Sequence, residues 1–188
     1  ALPKIAIGRA GNVIGGGDWA KDRIVVDCIK SWTNGKVVEL RSPNATRPWQ
    51  HVLEPLSGYL WLAASLSENP SLHGHSFNFG PKSEISRSVK ELLSDLSNYW
   101  GFDDPSEAYK VTDDTTFHEA GLLKLNCDKA LFHLKWECNL NYEECVKFVS
   151  EWYYKNYKKT EGMLDFTHRQ IDEYENLAKQ RSLIWAKI

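Results

Sequence analysis

Lys4-Ile5-Ala6-Ile7-Gly8-Arg9-Ala10-Gly11-Asn12-Val13-Ile14-Gly15-Gly16-Gly17-Asp18-Trp19 joins a short apolar run to a glycine-rich segment, and its reading decides the fold. The run from Lys4 to Arg9 predicts a strand whose apolar residues do not alternate with polar ones. Strands of that kind belong inside parallel sheets covered on both faces. One lying so near residue 1 has no earlier sequence here to pair with it. The expectation is therefore an α/β chain, residues 1–188 being the C-terminal part of a Rossmann-type doubly wound sheet plus a small α/β substrate-binding lobe. A cut sheet leaves an open strand edge, so association through the Lys4–Arg9 strand is expected as well.

Working outward, residues 22–33 set Ile24, Val25, Cys28, Ile29 and Trp32 at helical spacing, with Asn34-Gly35 as the stop. Val37 to Arg41 predicts a strand and Leu53 to Leu66 a helix. Ser76 to Gly80 alternates as a strand before Pro81. Ser86 to Trp100 carries Val89, Leu92, Leu93 and Leu96 on one helical face, with Ser86 or Ser88 as the cap. A polar stretch, 101–116, precedes a predicted strand at Leu122 to Leu125. Helices are predicted from Asp128 to near Trp136, over Tyr142 to Tyr157, and through the tail from Thr167.

The composition, 42% hydrophobic and 26% charged over 188 residues, excludes collagen-like and low-complexity classes. A net charge of −2 gives no general attraction to nucleic acid or to an anionic membrane, so any anion site must be local. No apolar stretch is long enough to span a bilayer. Cys28, Cys127, Cys138 and Cys145 lack CxxC spacing and read as reduced thiols of a cytosolic protein.

Several segments carry candidate chemistry. Asn12 follows a strand end, where ligands sit in doubly wound sheets; it can bond a substrate hydroxyl or phosphate, or close an Asx turn. Gly15-Gly16-Gly17 lacks the G-x-G-x-x-G pattern opening a long helix and is rejected as a dinucleotide loop. The run Arg41 to His51 holds Arg41, Arg47, Trp49 and His51. Guanidinium forks match diphosphate oxygens, although a solvated loop has the same composition. His118-Glu119 can bind a sugar hydroxyl or a phosphate, or be plain surface. His73-Gly74-His75 sits in a turn and is read as no metal site, and none is expected elsewhere. Tyr154-x-x-x-Lys158 has the spacing of a reductase pair, yet lies on a basic late helix and is set aside. No GxSxG occurs.

In their order, Arg9 to Trp19, Asp22-Arg23-Ile24, Pro43 to Tyr59, Asn78-Phe79-Gly80-Pro81, His118-Glu119-Ala120 and Leu131 to Trp136 resemble the C-terminal half of the CDP-glucose 4,6-dehydratases. These are extended short-chain dehydrogenase/reductases of the nucleotide-sugar epimerase and dehydratase family. Arg-x-x-Asn-Val-x-Gly is shared widely there; the Ala45 to Leu56 run is narrower.

The resemblance implies that Asn12 contacts the sugar diphosphate, Arg23 starts a helix over the nucleotide, and Arg47 grips the diphosphate. It puts Asn78 beside Arg47 and His118 or Glu119 near the phosphates or ribose. It lays Val38-Glu39-Leu40-Arg41 along the cytidine; His51, with Trp49, joins the substrate-binding candidates by residue type, as a side chain that can pack against a sugar or base. It implies an NAD-dependent lyase acting in deoxysugar synthesis for surface polysaccharide, with CDP-glucose or a related nucleotide sugar as ligand. Its catalytic residues and NAD loop are expected upstream of residue 1. By itself the chain is then expected to be inactive, and its oligomeric state is left open. A non-enzymatic nucleotide-sugar-binding module, or part of an epimerase for another nucleotide sugar, are the alternatives.

Overall fold

The computed structural model describes residues 3–82, 86–112 and 124–187. In chain order the elements are β1 (Ile7–Ala10), β2 (Val13–Ile14), α1 (Ile24–Thr33), β3 (Val38–Leu40), β4 (Thr46–Arg47), β5 (Gln50–His51) and α2 (Leu53–Glu68). They continue with β6 (Ser76–Phe79), β7 (Arg87–Ser88), α3 (Val89–Trp100), β8 (Tyr109–Val111), α4 (Asp128–Leu134), α5 (Tyr142–Lys158) and α6 (Met163–Gln180).

Among the described residues the strands form four ladders. β1 with β6, β2 with β5 and β3 with β8 are parallel, and β4 with β7 is antiparallel. Parallel neighbours need a crossover, and α2 lies in the chain between β1 and β6. Gly8 lets that helix come close: a Cβ there would lie 2.7 Å from the Tyr59 ring.

The opening strand departs from expectation. It starts at Ile7 rather than Lys4, and Ile5 and Ile7 are 58% and 54% exposed. Alternation explains this. Gly8 and Ala10 stand opposite the buried Phe77 and Phe79 on the α2 side, while Ile7 faces the other way.

The largest core joins α1, β3, α3 and α5 through Ile29, Trp32, Leu40, Leu92, Leu96 and Val149. A second packs Phe77 and Phe79 against Leu62, Leu134 and Trp136. α3 and α5 begin with reciprocal capping boxes, Ser88 with Glu91 and Asn141 with Glu144. α1 starts at Ile24 because Asp22 has φ 60° and Arg23 is extended, so the chain turns before it coils.

Within the predicted polar stretch lies β8, too short for its pattern to show, held on β3 with Trp32 Nε1 donating to the Ala108 carbonyl at 2.9 Å. Leu122 and Leu123 of the predicted strand lie outside the described residues, and Lys124 and Leu125 belong to no regular element. α6 starts at Met163, ahead of the predicted Thr167. All four cysteines are free thiols, and no described helix is long and apolar enough to cross a membrane.

Candidate functional site

The end of β1, the start of α1, the end of β3 and the β4 arginine surround one cleft of about 560 Å³. Asn12, Arg23, Arg41 and Arg47 all line it, as do Trp49, Tyr153, Asp18, Asp22, Asp27 and Glu39.

Asn12 has φ 50°, a left-handed conformation that asparagine tolerates better than most residues. Gln50 holds that turn in place. Its N–H donates to the Asn12 carbonyl at 3.3 Å, and its side-chain Nε2 donates to the carbonyls of Gly11 and Phe79 at 3.0 Å each. Gln50 is 2% exposed and ties β5 to both β1 and β6. Sequence reasoning passed it over, because a glutamine carries no charge or motif to mark it.

Arg47 is 8% exposed, and one of its guanidinium nitrogens donates to the Thr46 carbonyl at 2.9 Å. A cation so placed acts in a lower dielectric than a solvated one, so its attraction for an anion is larger. Its cross-strand neighbour is Arg87, and like charges directly opposite repel. Arg87 is drawn elsewhere: its guanidinium stands 5.1 Å from the centre of the Tyr142 ring and 4.0 Å from Glu143. Arg23 and Arg41 are exposed at the cleft margin.

Carboxylates share the lining. Lys110, 2.8 Å from Glu39, holds that carboxyl below its ordinary range. Burial, with help from nearby Asp22, pushes the Asp27 carboxyl above its ordinary range. The cleft thus offers charged donor forks beside an amide and carboxylate acceptors, a set suited to a ligand with both anionic groups and hydroxyls.

Two further predicted residues, His51 and Asn78, lie away from the cleft. His51 is 4% exposed in the core, its ring 5.5 Å from Phe148 and edge-on, with Nδ1 accepting the Leu53 N–H at 3.3 Å. Burial lowers its pKa to about 4, so it is neutral there. It does not line the cleft. Asn78 also lies outside the lining: it stands opposite Arg9, and its Nδ2 donates to the Asn126 carbonyl at 2.8 Å. His118 and Glu119 lie outside the described residues. Of the motifs set aside, the Lys158 ammonium lies 5.5 Å over the Tyr154 ring, and His73 Nδ1 accepts the Ile5 N–H at 3.0 Å. Tyr153 is a cleft residue that no sequence signal marked, since an aromatic on a helix stripe reads as core.

No protein-family profile matches the chain. The CDP-glucose 4,6-dehydratase of Salmonella typhimurium is 40% identical to it over 166 residues, which is 88% of this chain and 45% of that protein. The chain therefore spans somewhat under half the length of this relative. Among solved structures, the UDP-glucuronic acid 4-epimerase of Bacillus cereus, in complex with UDP-glucuronic acid and NAD, superposes with a TM-score of 0.67 at 16% identity. That match covers 81% of this chain and 46% of the epimerase. The dTDP-glucose 4,6-dehydratase of Bacillus anthracis, in complex with NAD, gives 0.66 at 17% identity over 81% of this chain and 45% of its own. Likeness at such identities speaks for the fold alone. The chain thus has the α/β fold of the Rossmann-type epimerases and dehydratases, and by sequence it is a relative of CDP-glucose 4,6-dehydratase.

Proposed function

We propose that this chain holds a CDP-hexose in the cleft and serves as the nucleotide-sugar-binding portion of a CDP-glucose 4,6-dehydratase. One observation carries the reading: Asn12, Arg23, Arg41 and Arg47, from four separate segments, meet around a single cleft in a chain 40% identical to that dehydratase. In this reading the buried Arg47 fork takes the diphosphate and the Asn12 amide takes a phosphate or sugar oxygen. Arg23 closes over the nucleotide, and Glu39 to Arg41 run beside the nucleoside.

The whole reaction, on this reading, turns CDP-glucose into CDP-4-keto-6-deoxyglucose and water with NAD as cofactor, making the full enzyme a lyase. Residues 15–17 do not fit a dinucleotide-binding loop. Gly16 is packed so closely on Trp152 that even a Cβ would lie 2.1 Å from the ring, and α1 begins only at Ile24. The glycine run therefore does not lead directly into a helix N-terminus, as the dinucleotide fingerprint requires. What this chain supplies is binding and orientation, which raise effective concentration without moving a hydride.

Calorimetric titration with CDP, UDP and dTDP tests the reading. CDP is expected to bind tightest, and the chain alone is expected to form no 4-keto product from CDP-glucose. Retention of none of the three would overturn the reading. Preference for UDP or dTDP would move it to another nucleotide sugar, and product formation would overturn the division of labour.

A further inference from the structure

Residues 15–19, between β2 and α1, belong to no strand or helix, and Gly15 and Asp18 among them line the cleft. Three successive glycines make this the least constrained backbone in the wall. Asp18 Oδ1 accepts the Ala20 N–H at 2.9 Å and Lys30 of α1 donates to the Trp19 carbonyl at 3.2 Å, while α5, backed by α6, packs against the loop from the other side.

Gly16 lies against the Trp152 ring with no room for a side chain. Trp152 is itself anchored, its indole N–H donating to Thr167 Oγ1 of α6 at 2.9 Å. Tyr153, fully buried and part of the cleft lining, donates its hydroxyl to the Asp18 carbonyl at 2.8 Å. Trp19 ends the segment edge-on to Tyr153, ring centres 5.5 Å apart, and to Tyr157 at 6.1 Å. An aromatic shelf on one helix therefore braces the glycine loop.

We propose that Tyr153 is a positioning residue for the cleft: its hydroxyl on Asp18 and its ring against Trp19 fix the 15–19 loop as a wall before ligand arrives. The inference rests on the reading of the cleft as a nucleotide-sugar site. Its physical content is preorganisation. A loop already ordered adds no ordering cost to binding, whereas a released loop must be ordered by the ligand.

The test is calorimetric titration of CDP into the protein and its variants Tyr153→Phe, Gly16→Ala and the double variant, with thermal unfolding of each. Tyr153→Phe removes the hydroxyl and keeps the ring, and is expected to weaken CDP about five-fold, the worth of one neutral hydrogen bond. Gly16→Ala pushes the same loop off Trp152 and is expected to do likewise. The double variant should bind no more weakly than the weaker single, because both changes release one loop. General loss of stability would instead make the two losses multiply, and that result overturns the inference.

Wild-type affinity in Tyr153→Phe overturns the inference and leaves the proposed function standing. Absence of CDP binding by the unaltered protein overturns both. Should Tyr153→Phe fail to fold, Gly16→Ala decides through hydrogen exchange. Faster exchange at residues 15–19 with weaker CDP binding supports the inference, and faster exchange with unchanged affinity overturns it.

Discussion

Glu54 accepts a hydrogen bond from the Leu140 backbone N–H at 2.7 Å, across 86 positions of the chain. Its other oxygen takes the Asn139 N–H at 2.9 Å and the Tyr174 hydroxyl at 3.1 Å. A side chain 1% exposed thereby clasps α2 to the segment before α5 and to α6.

This clasp makes stability depend on pH. Burial outweighs these donors and the Cys138 thiol beside them, and raises the Glu54 pKa from 4.5 to about 7. Between those values the folded chain keeps a proton that the unfolded chain has released. The stabilisation is full below about pH 4.5 and is lost as pH rises through 7. A shift of this size corresponds to on the order of 3 kcal/mol. Urea unfolding from pH 5 to 8 should show wild-type stability falling relative to Glu54→Gln. The variant should also be about 1–3 kcal/mol less stable at pH 5, since its NH2 group opposes a backbone N–H. Parallel pH curves would contradict the argument.

Arg47 tests the cleft from the ligand side. Replacing a buried fork with alanine should weaken CDP at least ten-fold, about 1.4 kcal/mol or more. Arg47→Lys should recover only part, because an ammonium offers a point charge where the diphosphate meets a planar pair of donors. Calorimetry alongside a thermal melt separates this from unfolding. Unchanged CDP affinity in a folded Arg47→Ala protein would remove the basis of the proposed function.

How much of this was legible depends on how many residues an element needs to show its period. Ile24, Val25, Cys28, Ile29 and Trp32 repeat over two turns, so α1 could be read, as could α3 and α5. Two-residue strands such as β2, β4 and β5 have no period at all. They exist because distant partners complete them. The cleft depends on the same ladders: arginine and asparagine were readable as residue types, but the Asn12 turn is held by Gln50 of the β2–β5 ladder and Arg47 sits in the β4–β7 ladder. His51 shows the converse. Its polar type suggested a ligand contact, whereas its place on β5 opposite Ile14 turns it toward Phe148.

Two glycines allow a graded test of packing. A Cβ at Gly58 would lie 2.3 Å from the Phe79 ring, which is fully buried, whereas one at Gly8 would lie 2.7 Å from the Tyr59 ring, which is 37% exposed. A buried ring has nowhere to move, while Tyr59 can swing outward. Gly58→Ala should therefore cost roughly 2–3 kcal/mol, near the upper end for overpacking, and Gly8→Ala clearly less. Denaturant midpoints that reversed this order would show that the Phe79 core yields more readily than its burial suggests.

The last prediction concerns β1. Among the described residues it pairs only with β6, and Ile5 and Ile7, before and at its start, are more than half exposed. An unpaired strand edge flanked by apolar side chains is a template for another chain. Residues 1–188 by themselves should therefore self-associate as their concentration rises, giving an increasing average mass in sedimentation equilibrium. Ile7→Lys sets a charge beside that edge without disturbing a buried contact, so it should hold the monomer while leaving circular dichroism unchanged. Charge next to the edge opposes docking because the ammonium would have to be desolvated as the strands meet. A concentration-independent mass for the unaltered protein, or equal association by the Ile7→Lys protein, would show that this edge is not the contact.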